Sequence, residues 1–141
     1  MAISSRSALT VPRTATVMEV IRTMAGAKVG SVLVVDGDRL LGIFSERDVM
    51  LRVVLEGRHP EYTSVEEVMT SSVQTIPPDT TGDTALRIMH QNHIRHLPVV
   101  DNRGRVLAVV SMRNLLQEKI EELNIQLDSL ESYITADGIG G

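Results

Sequence analysis

The apolar positions near the start of the chain switch between extended and helical spacing, and the switches outline a small unit. Thr10-Val11-Pro12 is too short, and too restricted by its proline, for more than a brief edge strand. Thr16-Val17-Met18-Glu19 has capping-box spacing, with a hydroxyl for the first free amides and a carboxylate three residues on. Val17, Val20, Ile21 and Met24 recur at helical intervals, which predicts a helix that buries one face and ends between Gly26 and Gly30. Ser31-Val32-Leu33-Val34-Val35 is a continuous apolar run of strand length, the pattern of a strand covered on both faces. Asp36-Gly37-Asp38 supplies a hairpin turn, and Arg39 to Phe44 returns as the partner strand. Ser45 suits the N-cap of a second helix, with Glu46, Arg47 and Asp48 in its first turn and Val49, Leu51, Val53 and Val54 along it. The predicted order is β-α-β-β-α.

That order occurs twice. Thr10 to Asp36 aligns without a gap on Thr75 to Asp101, matching Thr10 with Thr75, Pro12 with Pro77, Thr16 with Thr81, Arg22 with Arg87, Met24 with Met89 and Val34-Val35-Asp36 with Val99-Val100-Asp101. After one extra residue in the second turn, Arg39, Leu41, Ser45 and Arg47 match Arg105, Leu107, Ser111 and Arg113. The second copy therefore predicts a strand over Gln74 to Ile76, a helix from about Thr81 to Gln91, strands over His96 to Val100 and Arg105 to Val110, and a helix from Ser111. A duplicated unit with an internal twofold has two related clefts, so a small-molecule site should come as a pair of unequal members.

Between the copies, Gly57 and Pro60 break the chain, and Ser64-Val65-Glu66-Glu67 forms another capping box that starts a short helix. Leu116, Ile120, Leu123, Leu127, Leu130 and Ile134 are spaced alternately by four and three, the seam of a coiled coil or of an amphipathic helix lying on its own domain. The expected organisation is a first repeat over 1–57, an ordered connection over 58–73, a second repeat over 74–118, a C-terminal amphipathic helix over 119–134 and a disordered glycine-rich tail over 135–141. Each copy alone would bury too little apolar surface to be secure, so the two should pack into one α/β (α+β) body.

Composition narrows the functions. A net charge of −4 and only three aromatic residues (Tyr 2, Phe 1, Trp 0) exclude the basic footprint and stacking platform of a nucleic-acid binder. No run approaches the length of a membrane-spanning helix. The absence of cysteine excludes disulfides and thiol chemistry and agrees with a reducing cytosol, so the expected location is cytoplasmic. His90, His93 and His96 would form an arc of imidazoles on one helix, but the repeat ends that helix near Gln91 and puts His96 on a strand, so no metal site is expected. No nucleophile, base and orienting acid stand together, so no enzyme is expected.

The remaining chemistry lies in Gly42-Ile43-Phe44-Ser45-Glu46-Arg47-Asp48 and its echo Ala108-Val109-Val110-Ser111-Met112-Arg113-Asn114. In each, a strand ends at a serine and a helix begins, with an arginine second after the serine. Free amides, the helix dipole, a hydroxyl and a guanidinium suit a phosphate, and Asp48 can accept both hydroxyls of a ribose. Asn114 carries no charge and should hold a ribose less firmly. The same residues equally suit plain helix capping.

With its Thr-Val-Pro and Thr-Ile-Pro openings, its Leu-Val-Val-Asp and Leu-Pro-Val-Val-Asp strands and its Gly-Ile-Phe-Ser-Glu-Arg-Asp ending, the chain resembles a tandem pair of CBS domains, or Bateman module, over about residues 8 to 120. The resemblance implies two pseudo-twofold-related β-α-β-β-α repeats packed through their sheets, with clefts for adenine nucleotides and a regulatory action on a partner protein. It implies Ser45, Arg47 and Asp48 as phosphate and ribose ligands, Thr75, Ile76 and Pro77 as lining for the adenine, and Ile94, Arg95 and His96 across the same cleft, with the basic pair directed at phosphate. The second, weaker site comprises Thr10, Val11, Pro12, Val29, Gly30, Ser31, Ser111, Arg113 and Asn114, where Asn114 and Ala108 depart from the family's aspartate and glycine. The expected ligand is AMP, ADP, ATP or NAD(H), which share an adenosine half, as a regulatory ligand and not a catalytic cofactor. A homodimer acting on an unknown target protein is expected. The alternative is a structural homodimerisation module with vestigial clefts.

Overall fold

The computed structural model of the chain describes residues 9–134, and the expected tail at 135–141 lies outside them. The elements follow the predicted order: β1 (Thr10–Pro12), α1 (Val17–Ala27), β2 (Ser31–Asp36), β3 (Arg39–Ser45) and α2 (Glu46–Asp48), which continues as a π-helical stretch over Val49–Val54. A short α3 (Val65–Val68) precedes α4 (Gly82–Asn92), β4 (His96–Val100), β5 (Val106–Ser111) and α5 (Met112–Ile134). The chain divides into two compact units that do not coincide with the repeats. One holds the described residues up to Asp79 together with Pro98–Val109, the other Thr80–Leu97 and the residues from Val110 onward.

In the first unit, β1 pairs parallel with β2 and β2 antiparallel with β3, with a register shift between Val34 and Val35. The apolar run of β2 is buried from Val32 to Val35, as its composition predicts, and its Val32 and Val34 pack with Val17, Val20 and Met24 of α1, Phe44 of β3, and Val53, Val65 and Val68. Thr16 caps α1, accepting the Glu19 amide at 3.2 Å while its hydroxyl donates to the Glu19 carboxylate at 3.1 Å. The helix ends on Lys28 in the left-handed conformation (φ 57°), whose N–H donates to the carbonyls of Ala25 and Met24. Neither flanking glycine takes that position, and in the second copy its counterpart His93 repeats the conformation (φ 55°).

The connection is stitched to α1 by backbone bonds from Val17 to the Thr63 carbonyl and from Val65 to the Ala15 carbonyl, both 2.8 Å. Ser64 and Glu67 close the expected capping box on α3. Still within the first unit, the Leu40 N–H donates to the Gly104 carbonyl at 3.0 Å and the Val106 N–H to the Asp38 carbonyl at 2.8 Å. Because Asp38 corresponds to Gly104 and Leu40 to Val106 in the repeat, these two bonds are each other's image under the internal twofold.

The strand expected over Gln74 to Ile76 does not form. Ile76 makes only an isolated parallel bridge to Val99, exchanging bonds of 3.0 Å each with the carbonyl of Pro98 and the N–H of Val100. In the first copy the ladder is extended by the Leu33 N–H to Leu9 and the Arg13 N–H to Val35. Their counterparts are Pro98 and Pro78, which have no N–H to donate, so the second ladder stops after one residue.

In the second unit, Thr81 caps α4 and accepts the Thr84 amide at 3.2 Å. Ala85 and Met89 of α4, Leu97, Val110 and Leu115 are buried. Met112 N–H donates to the Arg95 carbonyl at 2.8 Å, and Lys119 pairs with Asp83 at 3.4 Å, fastening the start of α5. That helix runs unbroken from Met112 to Ile134, so no break marks the expected boundary between 118 and 119. Among the described residues no helix is long and apolar enough to cross a membrane.

Candidate functional site at the Ser45 to Asp48 turn

β3 ends at Ser45, whose extended backbone (φ −129°, ψ 169°) turns the chain into α2. The Asp48 N–H donates to Ser45 Oγ at 3.3 Å, while the Ser45 N–H and hydroxyl approach Asp48 Oδ2 at 3.0 and 3.2 Å. This is a closed capping box, the structural role that competes with a ligand role for these residues. Asp48 is nonetheless buried, with 7% of its surface exposed, and its second oxygen is also engaged. Thr70 donates its hydroxyl to Oδ1 at 3.1 Å, and the Arg52 guanidinium stands 3.5 Å from the same atom while donating to the Met69 carbonyl at 2.9 Å.

Oδ2 therefore anchors the helix start, and Oδ1 faces a hydroxyl and a cation. The Thr70 hydroxyl is the kind of donor a ribose diol offers, and the Arg52 cation beside it keeps Oδ1 paired. Sequence reasoning missed both partners. The spacing of Asp48 and Arg52, one helical turn, was a readable signal. Thr70 reaches Asp48 from the connection, and only the tertiary fold brings the two together.

Arg47, next to this box, is exposed and makes no ion pair with a described residue. Gly30 is tied to the same turn by the Glu46 N–H, which donates to its carbonyl at 3.0 Å. A pocket of about 470 Å³, within the ordinary range for small-molecule sites, lies beside that junction. It is lined by Ile21, Met24, Ala25, Lys28, Val29, Gly30, Glu46 and Val49. Of the expected ligand residues it gathers only Val29 and Gly30, while Ser45, Arg47 and Asp48 do not line it. Lys28 and Glu46 put one charge of each sign on its wall.

The other expected residues of this unit are spread over β1, β2 and the segment around Ile76. Val11 is buried in the core, Thr10 and Pro12 flank it exposed, and Ser31 opens β2 partly exposed. Ile76 is fully buried, with Thr75 partly and Pro77 more exposed.

In the second unit the corresponding turn is looser. The Asn114 N–H donates to Ser111 Oγ at 3.1 Å, and Ser111 is buried, 5% exposed. The reciprocal side-chain bond that Asp48 returns to Ser45 is absent for Asn114 among the described residues. Arg113, Arg95 and His96 are exposed and Ile94 partly so. His93 caps α4 while His96 opens β4, so the histidines are not on one helix face, and no cluster of metal-ligating side chains occurs among the described residues.

Gly42 also has a different meaning from the one its replacement by Ala108 suggested. A Cβ on Gly42 would lie 2.7 Å from both Met69 Sδ and the Thr70 carbonyl oxygen. The glycine thus makes room for the connection, and its exchange in the second copy concerns that packing before any ligand.

The CBS domain family model matches residues 2–55 and again 65–121, and the chain belongs to the CBS-domain family, with two repeats. CBS domain-containing protein CBSCBSPB2 of Arabidopsis thaliana is 36% identical over 130 residues; the match covers 92% of this chain but only 24% of that protein, so the chain spans about a quarter of this relative. A CBS-domain protein from Burkholderia ambifaria superposes with a TM-score of 0.74 at 37% identity, covering 83% of this chain and 85% of that one. The CBS domain protein PAE2072 of Pyrobaculum aerophilum, solved with AMP, gives 0.69 at 27% identity over 79% and 85% of the two chains. The cytosolic domain of the Mg2+ channel MgtE, solved with ATP, gives 0.66 at 30% identity over 78% and 44%.

Proposed function

We propose that this chain is a regulatory module that binds an adenine nucleotide and passes its presence to a partner protein. The observation that carries the reading is the Ser45 to Asp48 turn, where a buried carboxylate meets a hydroxyl and a guanidinium at the start of a helix. AMP in one CBS-domain neighbour and ATP in another support the ligand class. In this reading Asp48 Oδ1 exchanges Thr70 and Arg52 for the ribose hydroxyls, while Oδ2 keeps the helix capped. Ser45 and Arg47 hold phosphate, and Thr75, Ile76 and Pro77 line the adenine. In the other unit, Ile94, Arg95 and His96 are the residues we assign to ligand contact.

The weaker second site draws on Thr10, Val11, Pro12, Val29, Gly30 and Ser31, and on Ser111, Arg113 and Asn114, where an amide replaces the carboxylate. The nucleotide is a regulatory ligand, no reaction is assigned, and the module works in the cytoplasm as a homodimer. Calorimetric titration with AMP, ADP, ATP and NAD(H) should give one strong site per chain and a second that is weaker or silent. Two equal, independent sites contradict the assignment. A second reading, a structural dimerisation module, is favoured by the internal partners that already satisfy Asp48. Thermal unfolding separates the two, because a ligand at about 100 times its dissociation constant adds ~2.7 kcal/mol. No stabilisation by any of the four nucleotides would select the structural module.

A further inference from the structure

We infer that α5 carries a self-association surface, on which a second copy of this chain pairs its own α5 in parallel. The inference does not depend on the nucleotide reading. The start of the helix is packed, with Leu115 buried against the region of Gly82 and Lys119 bridged to Asp83. Beyond it, every side chain described from Ile120 to Tyr133 is exposed. With Leu116 one turn earlier, Ile120, Leu123, Leu127 and Leu130 form one apolar stripe, each between 46% and 59% exposed. The helix thus holds its apolar seam away from its own unit.

The pattern of the seam selects the occupant. Its alternating spacing of four and three is the 3.5-residue repeat of helices that wind around one another, whereas a helix lying on a globular surface follows a wider 3.6-residue stripe. Leucine fills one core position throughout at 116, 123 and 130. The other begins with β-branched Ile120 and continues with Leu127, and isoleucine there with leucine at the other position is the combination that, among parallel coiled coils, favours two strands.

Charge agrees. Glu118, Glu121, Glu122 and Asp128 fall on the positions that point away from a partner. The positions flanking the seam hold Gln117, Lys119, Asn124, Gln126, Glu131 and Tyr133. In a parallel, in-register pair, Lys119 meets the partner's Asn124 and Gln126 meets the partner's Glu131, so no like charges are brought together. The costly first turn of the helix is already formed by its packed start, so pairing only adds burial to an existing helix.

The test is sedimentation velocity on the full chain over a range of concentrations, with Leu123→Asp and Leu127→Asp as seam variants and Ile125→Asp as the control. Ile125 is 66% exposed on the opposite side of the helix, and none of the three positions is buried in the chain itself, so folding is not at stake. Each seam variant should raise the dimer dissociation constant by about tenfold or more, since it desolvates a charge, while the control stays within about twofold. The sequence has no cysteine, so Leu123→Cys supplies a single thiol that should cross-link the dimer on oxidation, whereas Ile125→Cys should not. A monomeric wild-type chain, seam variants that dimerise like wild type, or equal cross-linking at 123 and 125 would each overturn the inference.

Discussion

Gly42→Ala inserts one methyl where the structure has no room for it. Gly42 lies in β3 opposite Val34, and its missing side chain leaves the space that Met69 and Thr70 occupy. The added carbon would sit 2.7 Å from the Met69 sulfur, which can swing away, and 2.7 Å from the Thr70 carbonyl oxygen, which cannot move without its backbone. That carbonyl accepts the Ile43 N–H at 2.9 Å, and the Thr70 N–H donates back to Ile43 at 2.8 Å. Relieving the overlap needs a retreat of roughly half an ångström or more to reach ordinary contact, which strains both bonds.

The overpacking cost of about 1 to 3 kcal/mol, with two backbone hydrogen bonds at about 1 kcal/mol each, brackets a loss from roughly 1 kcal/mol if both bonds survive to roughly 5 kcal/mol if both are lost. Urea unfolding followed by circular dichroism measures it, with an unchanged slope keeping the comparison valid. The reverse exchange, Ala108→Gly, should cost only about 0.5 to 1 kcal/mol through backbone entropy. A Gly42→Ala variant within about 0.5 kcal/mol of wild type would refute the packing argument.

Thr70→Val removes the hydroxyl that faces Asp48 Oδ1, and should lower unfolding stability by about 1 to 2 kcal/mol while leaving nucleotide affinity equal to or above wild type. A tenfold loss of affinity in calorimetry would show that Thr70 serves the ligand and is not exchanged for it. Asp101 is held below its ordinary 3.8 chiefly by the Arg105 N–H, helped by the Arg103 N–H and the Arg105 guanidinium at 2.7 Å. A pKa lowered by folding contributes stability that is complete above 3.8 and is lost as pH falls through the depressed value. Asp101→Asn should therefore show a shallower loss of urea midpoint on acidification below that pH, and a loss as steep as wild type would remove the assignment.

The repeated order of elements was legible because apolar spacing records which face of each strand and helix is buried. Val17, Val20 and Met24, and the run from Val32 to Val35, are buried as their intervals require. The failed strand near Ile76 was written in the sequence as Pro78 and Pro98, but their effect appears only once the register assigns them the two ladder positions that must donate. Lys28 and His93 took the left-handed helix ends without the glycine that propensity favours, because the following strand fixes the direction of the chain there. At the site, local sequence revealed the Ser45 to Asp48 turn and could have revealed Arg52. It could not reveal Thr70, which lies 22 residues from Asp48 and meets it through the pairing of Ile43 with the connection.

The most direct test of the account titrates the wild-type chain and Asp48→Ala with the tightest of AMP, ADP, ATP and NAD(H), with circular dichroism confirming that the variant is folded. Losing the ribose acceptor should weaken binding by about 1.5 to 3 kcal/mol, roughly tenfold to more than a hundredfold. Undiminished affinity in the folded variant, or a wild-type chain that binds none of the four, would contradict the claim that this turn is the nucleotide site.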